Sequence, residues 1–318
     1  DGSPTGDERL WPVRRVDYAP VLRGSLTMAG FANARKLADA ESAGQYLYAS
    51  FRKQATQTTG AGIWFDLSMS PGNPAPNYYI GSPNVFVPLK QSTDGGLRHG
   101  GGVNAAGQKK FLRKLMALTP TSTAAPLACK LLDYVGFYGF IDESVLDEQA
   151  MDNTTPLPRH VAGAGVQMMP VVVAGQTGGQ TFTVNYTNQD GIAGRITPAV
   201  TMSTQFVNGT ILHSLGAGAA YANNGPFLPL QTGDSGVRSV QSVTIGGVGD
   251  VGLFALVLVK PLATFSLFGI DAATEVDYIT DMAAMPETVD DAYLNFIALP
   301  NGTLSGAPIH GLLETTWG

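Results

Sequence analysis

The chain reads as mainly β with a helical N-terminal part, an α+β arrangement whose C-terminal body is an antiparallel β-sandwich or jelly roll. Three observations predict this. From residue 165 onward, β-branched and aromatic residues alternate with polar ones at period two. The alternating stretches are short, about eight in number, and are parted by glycine- and asparagine-rich turns, the spacing of sandwiches and jelly rolls. Before residue 160, runs rich in Ala, Leu, Lys and Arg carry apolar residues at helical spacing. The chain accordingly divides into an N-terminal arm and helix (1–62), a helix-containing region with extended Pro/Gly loops (63–160) and a β domain (161–318).

In chain order, residues 1–30 are punctuated by Pro4, Pro12, Pro20, Gly24 and Gly30, which predicts an extended arm anchored by Trp11. Residues 31–53 read as a helix, broken or bent near Gly44. A strand is expected over 63–69, then an extended loop whose prolines exclude a central strand. In that loop Tyr78, Tyr79, Val85 and Phe86 are placed to drape over a neighbour. Over 109–118, Phe111, Leu112, Leu115, Met116 and Leu118 form one face and Lys109, Lys110, Arg113 and Lys114 the other. This predicts a basic amphipathic helix ended by Thr119-Pro120.

The stretch that organises the rest is 126–159. Leu127, Leu131, Leu132 and Val135 fall near helical spacing, Pro126 suits a first turn, and Gly136 and Gly139 weaken the end. Tyr134, Phe137, Tyr138 and Phe140 follow closely, each able to bury roughly 150–250 Å². A second short helix is expected over 144–151, stopped by the run that ends in Pro156 and Pro158. Two readings of the aromatic run stand: a helical pair linking two parts of the fold, or a surface for contact between subunits. Beyond it, strands are expected over 165–174, 180–187, 194–204, 205–214, 226–231, 237–246, 251–260 and 292–298. The stretch 243–260 reads as two strands of one hairpin, and 271–291 as an acidic helix or outer loop.

Charged residues make up 14% of the 318, against roughly 25% in an ordinary soluble domain, while 44% are apolar. This composition is not disordered, and it leans toward an obligate assembly that covers apolar surface with partners. Residues 1–159 carry 16 Lys/Arg against 14 Asp/Glu; residues 160–318 carry 3 against 11. The asymmetry predicts a solvent-facing C-terminal part and an N-terminal part that meets other subunits or an anionic surface. The basic residues form no dense run, so sequence-specific nucleic-acid binding is not expected. The lone Cys129 excludes an intrachain disulfide and a cysteine zinc site. The longest apolar run, 251–259, is too short to span a bilayer as a helix, which takes about 20 residues; no membrane role is expected. No charged and apolar leader opens the chain, so no signal peptide is expected.

Catalytic signatures are few. Gly233-Asp234-Ser235-Gly236 approaches the active-serine motif of chymotrypsin-like proteases, but Val237 replaces the last glycine and no histidine lies in the required context. His99-Gly100-Gly101-Gly102 resembles an esterase oxyanion loop without the nucleophile elbow that family needs. Acidic pairs such as Asp142/Glu143, Asp147/Glu148 and Asp290/Asp291 read as solvated faces rather than glycosidase carboxylates. No phosphate-loop or metalloprotease pattern occurs. The expectation is therefore a protein that is not an enzyme and uses no cofactor and no metal.

Three segments, 131–160, 62–79 and the glycine loop 94–101, resemble structural proteins of tailed-bacteriophage particles. The resemblance implies a virion component present in many copies, with extended arms, a β-rich body and no cofactor; it carries no catalytic residues. The expected function is a capsid or capsid-decorating subunit whose partners are copies of itself and other virion proteins. The candidate subunit contacts are Trp11, Tyr78, Tyr79, Phe86, Tyr134, Phe137, Tyr138 and Phe140. The alternative is a tail or adhesion component that binds a host surface glycan, with Tyr221, Asn223 and Asn224 as loop candidates.

Overall fold

The structure, a computed structural model, describes residues 30–100, 107–122, 125–204, 207–214, 225–282 and 284–318. Trp11 and the loop candidates Tyr221, Asn223 and Asn224 lie outside these residues. A helix α1 (Ala34–Ser42) opens the described chain, followed by strands β1 (Tyr46–Gln54), β2 (Phe65–Asp66), β3 (Gly72–Asn73) and β4 (Phe86–Pro88). After a single helical turn α2 (Gln91–Asp94) come β5 (Lys110–Leu118), β6 (Leu127–Asp142), β7 (Gln149–Ala150), β8 (Gln167–Ala174) and β9 (Thr181–Asn188). The chain continues through β10 (Arg195–Ile196), β11 (Val200–Thr201), β12 (Val237–Ile245) and β13 (Leu253–Leu267). It closes with β14 (Thr274–Asp277), β15 (Leu294–Pro300) and β16 (Pro308–Trp317).

The protein is mainly β and its paired strands are antiparallel, as the alternation predicts. They form three sheets. One runs β14-β5-β16-β1-β3, a second β10-β9-β12-β7 with β11 beside β9, and a third β2-β15-β6-β13-β8 with β4 beside β6. Strand pairs join parts of the chain far apart in sequence: β1 lies along β16, and β6 lies between β13 and β15.

The helical part is small. Asn33 caps α1 by accepting from the Lys36 N–H at 3.0 Å, and the helix ends before Gly44, which takes φ +78°. The rest of the expected 31–53 helix is β1. Three further helices are corrected to extended chain. The first is 126–139, which lies in β6. From Leu131 through Gly139 every residue of β6 is buried, because both faces of the third sheet are covered. A strand buried on both faces is a continuous apolar run, and periodicity cannot tell it from a buried helix. The second is 109–118, which is β5. Arg113 is an extra residue there, since Lys114 pairs with Glu314 and Leu112 with Thr315. The bulge puts Leu112 and Leu115 on the same buried side, and this three-residue step imitates a helix. The third, 144–151, is a turn followed by the two residues of β7.

The expected hairpin over 243–260 is also corrected. β12 pairs with β9 and β7, whereas β13 pairs with β6 and β8. The two strands meet face to face: Val240, Val243 and Ile245 share one core cluster with Phe254, Leu256 and Leu258. A second cluster joins Phe51, Leu115 and Ile309 of the first sheet to Leu131, Phe265 and Phe296 of the third. Of the strands expected over 194–204 and 205–214, the described residues show only β10, β11 and bridges at Thr210 and Ile211, and none forms over 226–231.

Part of the charge asymmetry is met by ion pairs within the chain. The acidic 271–291 segment supplies β14, which pairs with the basic strand β5. Lys109 bonds Glu287 at 2.7 Å, Lys110 bonds Asp290 at 2.9 Å, Lys114 bonds Glu275 at 2.7 Å, and Arg113 pairs with Asp277. These four pairs join the basic strand β5 to the acidic 271–291 segment of the same chain.

Candidate interaction surface

Five of the eight aromatic contact candidates lie inside the fold. Tyr79, Phe86, Tyr134, Phe137 and Tyr138 are all buried in the chain's own core. Tyr79 packs edge-on against Phe137, and Phe86 tilts against Tyr138. Their polar ends have partners inside. Tyr138 donates to Asn153 Oδ1 at 2.7 Å and accepts from the Val240 N–H at 3.1 Å. Tyr134 donates to Asp66 at 2.7 Å, and Tyr79 donates to the same carboxylate. Asp66 also accepts from Ser68 through its N–H at 2.8 Å and its hydroxyl at 2.7 Å. Burial pushes the Asp66 carboxyl up, against the pull of these hydrogen bonds. Among the described candidates, only Tyr78, half exposed, and Phe140, partly buried, remain on the surface.

A second buried centre forms around Asp133. Arg159 grips its carboxylate, with Nε at 2.7 Å from Oδ2 and Nη2 on Oδ1. The Tyr293 N–H donates to Oδ1 at 3.1 Å, and His160 Nε2 lies 3.0 Å from Oδ2. Burial pushes the Asp133 carboxyl up, but the hydrogen bonds and charges of His160 and Arg159 outweigh it and hold the group below its ordinary range.

Four of the exposed apolar side chains lie on connections that meet at one end of the third sheet. Asp142 at the end of β6 and Ala174 at the end of β8 both pair with Leu253 at the start of β13. Three connections therefore meet at one end of the third sheet: 143–148, 175–180 and 246–252. Backbone bonds tie them, with Glu143 N–H on Gly252 C=O at 3.0 Å and Thr177 N–H on Val251 C=O at 2.9 Å. Gln180 N–H donates to Asp250 Oδ2 at 2.9 Å. On this end Val145, Leu146, Val248 and Val251 are exposed, Val248 to 73%. Leu146, in the expected 144–151 helix, and Val251, in the expected 251–260 strand, are both exposed. The legible signal was a valine standing between glycines in 246–252, where a turn cannot bury it.

Glu143 is the residue most at odds with its sequence reading. It was one of a solvated acidic pair, yet it is fully buried, and neither carboxylate oxygen has a hydrogen-bond partner. Burial, Asp250 and Asp142 push its carboxyl up to about 8.

The described residues of the two enzyme-like motifs are held by hydrogen bonds within the chain. Asp234 is held by Arg195, Nε to Oδ2 at 2.9 Å, and by Tyr186 and Asn188, while the Ser235 N–H donates to Gln189. His99 sits apart from it, buried, with Nε2 3.0 Å from the Ala292 carbonyl oxygen. No helix among the described residues is long and apolar enough to cross a membrane.

No protein-family model matches the chain, and no curated protein matches it. Among solved structures, it is similar to the crystal structure of the infectious bursal disease virus VP2 subviral particle, with 9% sequence identity and a TM-score of 0.16. That similarity covers 85% of this chain and 80% of the other. A TM-score so low establishes no common fold, and nothing is carried across from it.

Proposed function

We propose that the chain is a structural subunit that assembles in many copies into a virus particle, as a capsid or capsid-decorating protein, without enzymatic activity. The observation that carries this reading is the apolar loop end formed by Val145, Leu146, Val248 and Val251. Aliphatic side chains held on ordered turns by backbone hydrogen bonds gain by burial against another surface, at roughly 25 cal/mol per Å² covered. The low charge content supports the same reading, and the resemblance of three segments to tailed-bacteriophage particle proteins supplies the virion as its place. We read the body as jelly-roll-like, with the β9–β12 sheet lying on β6, β8 and β13 across their shared core. The partners in this reading are further copies of the chain and other virion proteins, with no membrane and no sequence-specific nucleic acid.

Replacing Leu146 and Val248 together by aspartate tests it. Both side chains are exposed, so stability is expected to change by no more than about 0.5 kcal/mol per site. Self-association, followed by sedimentation velocity, is expected to weaken at least about tenfold, since two charges would enter an apolar contact. Unchanged sedimentation of a variant that remains folded would remove the loop end from any subunit contact.

A further inference from the structure

The acidic half of the chain, residues 160–318, holds only three Lys/Arg: Arg195, Arg238 and Lys260. Arg195 is taken up by Asp234. Arg238 is exposed, and no acid among the described residues pairs with it. Instead it lines a cavity of about 400 Å³ between β9, β12 and the 153–161 segment. That volume lies in the range of small-molecule sites, roughly 300–1,000 Å³. Among the described residues Arg238 is the one charged side chain in the lining.

A bulge in β12 presents it. Val237 pairs with Asn188 and Ser239 with Thr187, which leaves Arg238 as an extra residue. Successive side chains of a regular strand face opposite sides, yet Arg238 and Ser239 both line the cavity. The guanidinium lies along Gly191, which belongs to the same lining: a Cβ built there would stand 3.1 Å from Arg238 Nη1. The apolar base is fixed, because Phe86, Tyr138 and Leu157 are buried members of one core cluster. The Tyr138 hydroxyl is held by Asn153 and the Val240 N–H. Thr155 and Thr187 add hydroxyls to the lining, and Val161, 63% exposed, adds an apolar face.

A guanidinium without a counter-ion selects an anion, and its planar fork matches a carboxylate through two parallel hydrogen bonds. An inorganic anion would leave the apolar lining unused. Hydroxyl side chains beside apolar ones match a ligand with hydroxyls on one side and C–H groups on another. We propose that this cavity binds a small hydroxylated carboxylate, the chemistry of an acidic sugar. Its carboxylate would meet Arg238, its hydroxyls Thr155, Thr187 and Ser239, and its C–H face Val161 and Leu157. The proposal stands independently of the assembly reading, since the lining comes from one chain.

The test is ligand-observed saturation-transfer NMR on the full-length chain, which reads binding to a single chain and to an assembly alike. The probes are methyl glucuronide and N-acetylneuraminic acid, with methyl glucoside as a neutral sugar and benzoate as a carboxylate without hydroxyls. At least one of the two acidic sugars is expected to bind saturably. Methyl glucoside is expected to bind at least about tenfold more weakly than that acid, and benzoate more weakly too. Arg238→Gln, at an exposed position where folding is expected to be retained, is expected to weaken the acid at least about tenfold. Arg238→Lys, which keeps the charge without the fork, is expected to weaken it less. Thermal unfolding of each variant checks that it is folded. Absence of saturable binding by both acidic sugars overturns the proposal. So does methyl glucoside or benzoate binding as tightly as the acid, or a folded Arg238→Gln variant binding it as tightly as the wild type.

Discussion

Arg159→Met is expected to destabilise the chain by about 3–5 kcal/mol, the range for a buried ion pair that loses one partner. Both residues of the Arg159–Asp133 pair are almost fully buried. The guanidinium also donates to the carbonyl oxygens of Leu89 and Tyr134, the latter at 2.6 Å, so it fastens the 155–160 segment to β6 and to the chain after β4. Methionine fills much of the volume but strands the Asp133 charge and two carbonyls. Adding Asp133→Asn to Arg159→Met is expected to recover part of the loss, which separates a stranded charge from simple loss of packing. Urea unfolding of the wild type and the two variants measures this directly.

The same pair sets an acid limit. The Asp133 carboxyl is held below its ordinary range in the folded chain. Its contribution is therefore complete above the unfolded carboxyl value of about 3.9 and is lost as pH falls through the lower folded value. Arg159→Met is expected to cost less below about pH 3 than at pH 7, because Asp133 is then protonated in the variant.

Gly136→Ala is expected to destabilise by about 3 kcal/mol, at the upper end for overpacking. A Cβ on Gly136 would lie 2.4 Å from Phe86 Cζ and 2.7 Å from the Val87 carbonyl oxygen. A looser site would let the ring rotate away, but Phe86 is buried and the carbonyl belongs to β4, which pairs here with β6. Gly139→Ala provides the comparison, since its Cβ would come no closer than 3.2 Å, to the Tyr79 carbonyl oxygen. A smaller loss is expected there. The sign matters as much as the size. In a helix, alanine in place of an interior glycine would stabilise by about 1 kcal/mol. Thermal unfolding of Gly136→Ala thus distinguishes strand from helix at the centre of the chain.

Much of the β part was legible. β8, β9, β12, β13 and β15 fall where alternation or apolar runs place strands, because each is bounded by turn residues that end it. The break of α1 near Gly44 was legible for the same reason: glycine supplies the left-handed residue that follows the helix. What escaped was set by distant partners. β6 looked helical because strands on either side and cores on both faces bury it without a break. β5 looked helical because one bulged residue, Arg113, turned a two-residue period into a three-residue step. Its charges are matched by acids more than 150 positions away, a pairing no local pattern announces. Of the candidate site, the aromatic contacts were named from composition, yet five of them are core. The loop end was missed because Val145, Leu146, Val248 and Val251 come from two connections that only the register of β6, β8 and β13 brings to one end. Glu143 was missed because an acid beside an acid is usually solvated, and its burial depends on the distant 246–252 connection, where Gly252 lies against it.

The central claim is that many copies of this chain build a particle. The measurement that tests it most directly is the mass of the purified wild-type chain by light scattering over a concentration series, with negative-stain electron microscopy of the same samples. A mass that is a fixed multiple of 33.3 kDa, with closed rings or shells in the images, is the predicted result. A particle-free field and a mass of 33.3 kDa at every concentration would contradict it.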